Sequence, residues 1–347
     1  MSLNDEIEEF LLDRAALKVG FATLETMAGG PPSADLTYVL PEARSAVSFA
    51  LPLDREKIRA FLSKRDLMSH EKDNIDVNIK STLMSRELAL MLKEKGHSSR
   101  GVLSNLNYRT DIEGWQLTLP PEISHRYIAV RSGVGSFGWS GNVGLSGYGT
   151  AILLGSVVTA ARLEPTDPIP PEDSFCDRCK LCIASCASGM VDRKMETSVT
   201  LGGVKFTFGA RKDYMLCEFV CGGFTGLHRS GKWSTWSPGR YLIPEDREEL
   251  EKQFFRAVEN YSKWPERKDT PGGYTNPALE GMKLRLTCGG CQIVCWGNKE
   301  ETRENYRLRT KSGCAVQKED GDVVFLPADE AERVFEAMDP VHRKLYC

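Results

Sequence analysis

The order of apolar and polar positions predicts two amphipathic helices in the first part of the chain. In residues 4–17 the apolar side chains recur at roughly helical spacing, and Gly20 follows as a stop signal. Residues 73–95 form the strongest helical pattern, and Gly96 stands where a C-terminal cap belongs. The apolar stripe of this second helix consists of Ile75, Ile79, Leu83, Leu90 and Met91. Such a stripe is the face that a helix of a globular protein turns toward the core.

Four short apolar runs predict strands in the same part of the chain. Two of them, residues 19–24 and 46–51, lie on either side of a turn-rich Gly-Gly-Pro-Pro segment. The other two, residues 127–131 and 151–159, lie on either side of a glycine-rich connection. Helices and strands that alternate up to about residue 165 favour an α/β or α+β first domain.

A proline-rich link over residues 164–171 predicts a domain boundary. Beyond it, the clearest patterns are a helix near 245–260, an apolar run at 323–326 and a short helix at 328–338. The predicted parts are a first domain over 1–165, a second over 166–314 with an inserted cap at about 222–287, and a C-terminal extension over 315–347. An insert this long and loop-rich is usually functional or mobile.

Size and charge narrow the functional classes. With 347 residues and 41% apolar content, the chain can bury a substantial core. Its 45 basic and 48 acidic residues give a net charge of −3, so no global basicity indicates a nucleic-acid or membrane-surface partner. The acidic N-terminus carries no secretory signal, and no run approaches the roughly 20 apolar residues of a membrane span. We expect a soluble cytoplasmic protein in a reducing setting.

Two cysteine motifs carry the strongest chemical signal. The first, with spacing C-x2-C-x2-C-x3-C, consists of Cys176, Cys179, Cys182 and Cys186. The second, with spacing C-x2-C-x3-C, consists of Cys288, Cys291 and Cys295. The first spacing is that of two-cluster ferredoxins, whose fourth cysteine ligates the other cluster, so we predict iron–sulfur binding. Zinc usually takes separated ligand pairs, and a disulfide framework is unusual in so large a chain without a leader.

The glycine-rich stretch after residue 132 invites a nucleotide-binding interpretation. Gly133, Gly135 and Gly138 match the G-x-G-x-x-G pattern, which requires a helix directly afterwards to hold a pyrophosphate. The following residues, up to Gly149, are too rich in glycine for a helix. We therefore expect an extended loop whose backbone passes close to something flat or bulky. A tight connection without any ligand is the alternative.

Several segments, taken in chain order, resemble one enzyme family. They are residues 40–47 (LPEARSAV), the glycine loop at 131–138, the strand at 149–159, both cysteine motifs and the region of Cys217 between them. Together they resemble the epoxyqueuosine reductases and reductive dehalogenases, which are corrinoid-dependent iron–sulfur enzymes. The resemblance implies an α+β fold: a nitroreductase-like α/β corrinoid-binding domain, followed by a ferredoxin-like domain with two 4Fe–4S clusters. It also implies cobalamin as a cofactor.

The resemblance further implies a set of ligands. One cluster would be bound by Cys176, Cys179, Cys182 and the distant Cys295. The other would be bound by Cys186, Cys288, Cys291 and a cysteine between the motifs, for which Cys217 matches better than Cys221. The corrinoid would lie along Gly133, Gly135, Gly138, Gly141, Tyr148 and Gly149. Cys314 and Cys347 lie outside the pattern and are expected to be free thiols.

The chain also departs from the family pattern. Cys186 and Cys295 are not followed by proline, which shapes the exit turn and is no ligand. No aspartate stands where epoxyqueuosine reductases carry their proton donor. We therefore predict the proton source among Tyr127, His125 and Glu122. Each has a structural alternative: a packed tyrosine, a structural histidine and a solvated carboxylate.

The resulting hypothesis is a cobalamin-dependent iron–sulfur oxidoreductase acting on a small or nucleoside-like substrate. One alternative is an electron-transfer protein that reactivates a partner's corrinoid. A second is a tRNA epoxyqueuosine reductase, to which the basic stretch from Arg211 to Arg240 lends some support. The expected partners are a low-potential donor of the ferredoxin or flavodoxin type, a small-molecule or nucleoside substrate, and a second copy in a homodimer.

Overall fold

The computed structural model describes residues 2–103, 107–270, 273–275 and 283–347. The strands in chain order are β1 Lys18–Thr23, β2 Ser45–Pro52, β3 Ser99–Val102, β4 Ser136–Phe137, β5 Val143–Gly144, β6 Ile152–Thr159, β7 Val191–Leu201, β8 Val204–Arg211, β9 Tyr274–Thr275, β10 Lys283–Leu284, β11 Cys314–Gln317 and β12 Val323–Leu326. The α-helices are α1 Leu3–Leu12, α2 Leu24–Met27, α3 Leu36–Val39, α4 Arg55–Leu62, α5 Met68–Glu94, α6 Trp115–Thr118, α7 His125–Arg131, α8 Leu181–Ala184, α9 Met215–Cys221, α10 Arg247–Tyr261, α11 Gly290–Ile293, α12 Lys299–Thr310, α13 Ala328–Glu336 and α14 Pro340–Arg343.

A four-stranded antiparallel sheet, in the order β1–β2–β6–β3, forms the centre of the first part of the chain. The inner strand β2 is buried from Ser45 to Leu51, as expected of a strand covered on both faces. The runs predicted at 19–24, 46–51 and 151–159 are confirmed as β1, β2 and β6. Because all pairings are antiparallel and the helices lie outside the sheet, this part of the fold is α+β.

Each face of the sheet is covered by a different layer. On one face, apolar residues of α1 and α5 pack against Phe21 and Phe49. On the other face lies α7, together with Leu201 and Phe208 of the long β7–β8 hairpin. The hairpin follows the proline-rich link in sequence but shares the core of the preceding sheet. The domain boundaries therefore stay a prediction.

The first predicted helix is shorter than its periodicity indicated. α1 ends at Leu12, the backbone becomes left-handed at Ala15 (φ 66°), and β1 begins at Lys18. Gly20 is therefore a strand residue and not a helix stop. A Cβ atom at Gly20 would lie 2.2 Å from the carbonyl oxygen of Ser132, so this glycine lets β1 approach the end of α7.

The strand predicted at 127–131 is wrong. These residues belong to α7, whose start is capped by the Ser124 hydroxyl, an acceptor for the Tyr127 N–H at 3.3 Å. A short apolar run does not distinguish a buried strand from one face of a helix by periodicity alone. Helix α7 therefore contains His125, Arg126 and Tyr127, which belong to the candidate site described below.

The helix predicted at 73–95 is confirmed as α5, but its orientation is reversed. The apolar stripe is largely exposed, with Ile75, Ile79, Leu83 and Leu90 between 42% and 58% accessible. The face toward the sheet contains Ser81, Met84, Ser85, Leu88, Ala89 and Leu92. Small residues are needed there because the backbone of β3 approaches closely: a Cβ on Gly101 would lie 2.8 Å from Ser85.

The later part of the chain packs around a second core of aromatic residues. Phe219 of α9, Phe224 and Tyr241 pack against Phe254 of α10, the helix predicted near 245–260. Residues 271–272 and 276–282 of the predicted insert lie outside the described residues. At the C-terminus, the β11–β12 hairpin and α13 confirm the two patterns predicted there. No helix in the described part of the chain is long and apolar enough to cross a membrane.

Candidate iron–sulfur site

The first cysteine motif folds as tight turns that lead into the short helix α8. Arg178 and Lys180 both adopt left-handed backbone conformations, and Asp177 accepts a hydrogen bond from the Cys179 N–H at 3.0 Å. These turns place three thiols close together, and α8 packs against α11 of the second motif. The second motif has a similar turn: Gly289 adopts a left-handed backbone conformation (φ 69°) directly before α11.

The structure brings Cys295 to the first three cysteines. Burial raises the pKa of the Cys182 thiol, and the neighbouring sulfur of Cys295 raises it further. Burial likewise raises the pKa of Cys179 to about 11, and Cys295 again adds to the effect. Burial is the largest cause of the raised pKa of Cys295, and the nearby Cys176 raises this pKa further. These four thiols therefore lie near one another, and their role as one ligand set stays a prediction.

A second group contains Cys186, Cys288 and Cys291. Burial raises the pKa of the Cys291 thiol, and the nearby sulfurs of Cys186 and Cys288 raise it further. For Cys288, a hydrogen bond with Cys221 is the largest cause of a strongly raised pKa, followed by burial. The fourth thiol next to this group is thus Cys221.

Cys217 lies one helical turn before Cys221, and its sulfur is 3.4 Å from the sulfur of Cys221. The contacts consequently favour Cys221 over Cys217 as the eighth ligand, because Cys221 stands at the end of α9 that faces Cys288. The ligand assignment itself stays a prediction. Sequence spacing alone did not separate two cysteines on the same helical face.

Among the described residues, no three His, Cys, Asp or Glu side chains form a group that could hold a single metal ion. A cubane differs from a single ion because its four thiolates bind four separate irons. Buried thiols crowded in this way do not ionise by themselves, whereas coordination deprotonates a thiol outright. Four thiols are what a cubane requires, and the binding of two cubanes stays a proposal.

Three side chains that sequence reasoning missed contact the sulfurs of the second group. Asn142 Nδ2 lies 3.4 Å from Cys291 Sγ, and Ser188 Oγ lies 3.4 Å from Cys186 Sγ. Arg309 Nη2 lies 3.4 Å from Cys288 Sγ. Hydrogen bonds to sulfur tune the potential of a cluster, so these contacts have chemical significance.

The glycine-rich loop packs against the chain itself. In the described chain, no helix begins directly after Gly138. Residues 136–144 form the small β4–β5 hairpin instead, which agrees with the argument against a dinucleotide site. A Cβ on Gly149 would lie 2.4 Å from the Cys295 carbonyl oxygen and 2.3 Å from the Gly297 nitrogen. The next residue, Thr150, donates its N–H to that same carbonyl at 2.9 Å. This part of the loop therefore holds the second cysteine motif against the sheet.

The other predicted corrinoid-binding residues have similar surroundings. A Cβ atom built on each of these glycines would lie close to other protein atoms. The neighbours are Asp167 for Gly133, Val143 for Gly135, Phe175 for Gly138, and Phe208 and Arg211 for Gly141. Tyr148 is partly exposed, with the Arg55 guanidinium 5.6 Å from its ring. A surface cavity of about 480 Å³ borders Gly133 and Tyr148, which is within the range of ligand pockets. The packing explains these glycines without a ligand, and their cofactor-binding role stays a prediction.

The three predicted proton donors lie in different environments. Glu122 is buried and forms an ion pair with Arg100 at 2.8 Å and a hydrogen bond with Asn107 at 3.0 Å, which makes it a structural carboxylate. His125 Nδ1 lies 2.8 Å from the Ser156 hydroxyl, and its buried Nε2 has no partner in the described chain. Burial lowers the pKa of His125 to about 4. Tyr127 is half-buried and packs edge-on against Phe137.

Next to the second cysteine group lies a set of half-buried polar residues that the sequence did not single out. Arg126 donates to the Gly141 carbonyl at 2.9 Å, and burial, followed by Arg211, lowers its pKa to about 10. Arg211 acts on Cys291, whose pKa it lowers. Burial, followed by the nearby Glu218, raises the pKa of Tyr214, and burial also raises the pKa of Glu218.

These polar side chains lie close to one another. His125, Arg126 and Tyr214 are half-buried, and burial is the largest cause of the pKa shift of each. Arg126 of α7 lies near Arg211 at the end of β8, near Tyr214 and near Cys291 of the second cysteine group.

The basic stretch considered for RNA binding is partly internal. Arg240 is buried and forms an ion pair with Glu332 at 2.5 Å. Arg211 turns toward the glycine loop and donates to the Ser140 carbonyl at 3.3 Å. Lys212, Arg229 and Lys232 are exposed, so these three basic side chains lie on the surface.

No family model matches the sequence, and no curated protein matches it significantly. Solved structures match in part. An epoxyqueuosine reductase bound to a tRNA stem loop is 21% identical, with a TM-score of 0.35, and the match covers 54% of this chain and 52% of that one. The enzyme from Bacillus subtilis is 20% identical over the same shares, also at 0.35.

A reductive dehalogenase described with a mechanism for B12-dependent dehalogenation is 16% identical, with a TM-score of 0.45. That match covers 62% of this chain and 28% of the dehalogenase. The neighbours are reductases of the two kinds that the sequence resembles. At these identities and TM-scores the similarity concerns part of the fold, and the chain spans about half the length of the epoxyqueuosine reductases it matches.

Proposed function

We propose that the chain is an iron–sulfur oxidoreductase that binds two 4Fe–4S clusters and, with cobalamin, reduces a small or nucleoside-like substrate. The observation that supports this proposal is the grouping of eight thiols from three separated segments into two sets of four. Free thiols would gain nothing from this grouping. They form no disulfides in the described part of the chain, and burial opposes their ionisation.

The proposed first cluster is bound by Cys176, Cys179, Cys182 and Cys295. The proposed second cluster is bound by Cys186, Cys288, Cys291 and Cys221, with Cys217 as the alternative for the last position. The two groups are neighbours, because Cys291 lies close enough to contribute to the raised pKa of Cys182. Electrons could therefore pass directly from one cluster to the other.

The polar residues beside the second cluster mark the proposed place of substrate reduction. Arg126 and Arg211 would orient an electron-rich substrate, and Tyr127 would hold the proton that accompanies the electrons. Cobalamin, which would supply the low-potential reductant, is proposed from the sequence resemblance alone. The glycines expected to contact it are packed against protein, so no residue is assigned to hold it.

Anaerobic purification followed by iron analysis and electron paramagnetic resonance tests this proposal. We expect about eight irons per chain, four for each cubane. Cobalamin added to the same sample should give a base-off Co(II) signal. Fewer than about four irons would reject the iron–sulfur assignment, whereas eight irons without corrinoid uptake would reject only the cobalamin step.

Paired cysteine variants test the eighth ligand. Replacing Cys221 by Ala should reduce the iron content to about half, because the second cubane loses a ligand. Replacing Cys217 by Ala should leave the full iron content, and it serves as the matched control one turn away on α9. The reverse result would assign the ligand to Cys217.

An electron-transfer protein without a substrate is the second candidate function. The packing of the glycine loop against Asp167, Phe175 and Cys295 supports it, since that loop then needs no cofactor. Eight irons, no corrinoid uptake and electron transfer to a separate corrinoid protein would favour this candidate. A ferredoxin or flavodoxin as electron donor, and assembly as a homodimer, remain parts of the proposal.

A further inference from the structure

Arg309 is a buried cation without a carboxylate partner. It lies on α12, is 3% exposed, and forms no ion pair within the described residues. Its Nε donates to the Ser185 carbonyl at 3.2 Å, and its Nη2 lies 3.4 Å from Cys288 Sγ. The guanidinium also lies over the Trp233 ring, 5.1 Å from the centroid. A buried guanidinium is costly unless an anion balances its charge.

The surrounding chain is shaped to keep this guanidinium in place. A Cβ on Gly290 would lie 2.7 Å from the Arg309 guanidinium carbon, so a side chain at the start of α11 would displace the guanidinium. Lys64 is nearby, and burial and then Arg309 lower the pKa of its amine to about 7. Among the described residues, no carboxylate pairs with Arg309.

The two cysteine groups differ in the charges around them. The second group has Arg309 against Cys288, Arg211 near Cys291, and a neutral donor from Asn142. The first group has the carboxylate of Asp177 beside Cys179 and takes backbone N–H groups and the Thr302 hydroxyl as donors. The basic side chains of that motif are bound elsewhere: Arg178 donates to Glu196, and Lys180 donates to the Arg193 carbonyl. A cubane with four thiolates carries net negative charge, and reduction adds one more negative charge. Cations and N–H donors near the sulfurs therefore favour the reduced form.

We infer that Arg309 raises the reduction potential of the second cluster above that of the first, and so makes the second cluster the electron acceptor. This inference rests on the proposed function. Electrons would then enter through the first cluster, move to the second and arrive beside Arg126 and Tyr214. The direction of transfer follows from the placement of fixed charge.

An anaerobic redox titration followed by electron paramagnetic resonance tests the inference on the complete chain. In Arg309→Gln, one of the two one-electron waves should shift to lower potential by at least a tenfold change in equilibrium constant, which is 59 mV for one electron. The other wave should stay in place. Arg307→Gln is the matched control, since it removes the same charge from the exposed face of α12, where Arg307 pairs with Glu304.

The outcomes separate the two proposals. Absence of clusters from the unmodified protein would reject the proposed function. A full iron content in Arg309→Gln with both waves unchanged, or with both shifted equally, would overturn the role of Arg309. If Arg309→Gln does not assemble both clusters, Arg309→Met is titrated instead. It also removes the charge and keeps an apolar stem of similar length, so a downward shift of one wave supports the inference and unchanged waves overturn it.

Discussion

The buried ion pair between Glu71 and Arg285 is expected to hold the second cysteine motif in position. Glu71 and Arg285 are 5% and 6% exposed, and Glu71 Oε1 accepts from Arg285 Nη1 at 2.5 Å. The other carboxylate oxygen accepts the Leu286 N–H at 2.8 Å. Both bonds lie within three residues of Cys288. The first turn of α5 thereby fixes the backbone that leads into the motif.

Replacing one partner should be severely destabilising. Glu71→Leu leaves the Arg285 charge buried and unpaired, which costs about 3–5 kcal/mol of unfolding free energy. Arg285→Met leaves the Glu71 carboxylate buried and should cost a similar amount. In the double variant both charges are gone, and the remaining cost is the orphaned Leu286 N–H, roughly 1–3 kcal/mol. The double variant should therefore be more stable than either single variant.

Urea unfolding of anaerobic protein, followed by circular dichroism and matched for iron content, provides the measurement. Bound clusters complicate a two-state analysis, so transition midpoints are compared rather than absolute free energies. Lys72→Met is the control, because its pair with Asp76 on the same helix is exposed and should contribute little. A Glu71→Leu midpoint close to that of Lys72→Met, or a double variant less stable than both single variants, would refute the reasoning.

Three further predictions concern pH, backbone space and the unused thiols. His70 is 1% exposed, and burial lowers its pKa to about 4 from an unfolded value near 6.5, so the unfolded state binds more protons between these values and stability falls as pH drops through that window. His70→Phe should flatten this fall in the urea midpoint; an unchanged slope would contradict it. Gly149→Ala should lose about half of the iron, since its Cβ would collide with the Cys295 segment, whereas Gly147→Ala, also at positive φ but in open space, should retain it. Equal iron in both would count against the collision. Cys314→Ala and Cys347→Ala should keep the full iron content, and a loss from either would place that thiol in a cluster.

The sequence by itself determined the elements whose signal is local. The cysteine spacings predicted closely spaced thiols because the tight turns between them are set within a few residues. The long apolar runs predicted β1, β2 and β6, and the strong periodicity predicted the extent of α5 and α10. In each case, neighbouring residues along the chain carried the information.

Tertiary packing decided the rest. It decided which face of α5 is buried, because the close approach of Gly101 requires small residues such as Ser85. It placed Cys221 beside Cys288, although Cys217 lies on the same face of α9. It also brought Arg309 to the Cys288 sulfur from a helix that begins beyond the motif. Contacts between distant segments depend on how whole layers pack, and residue spacing within one segment does not predict them.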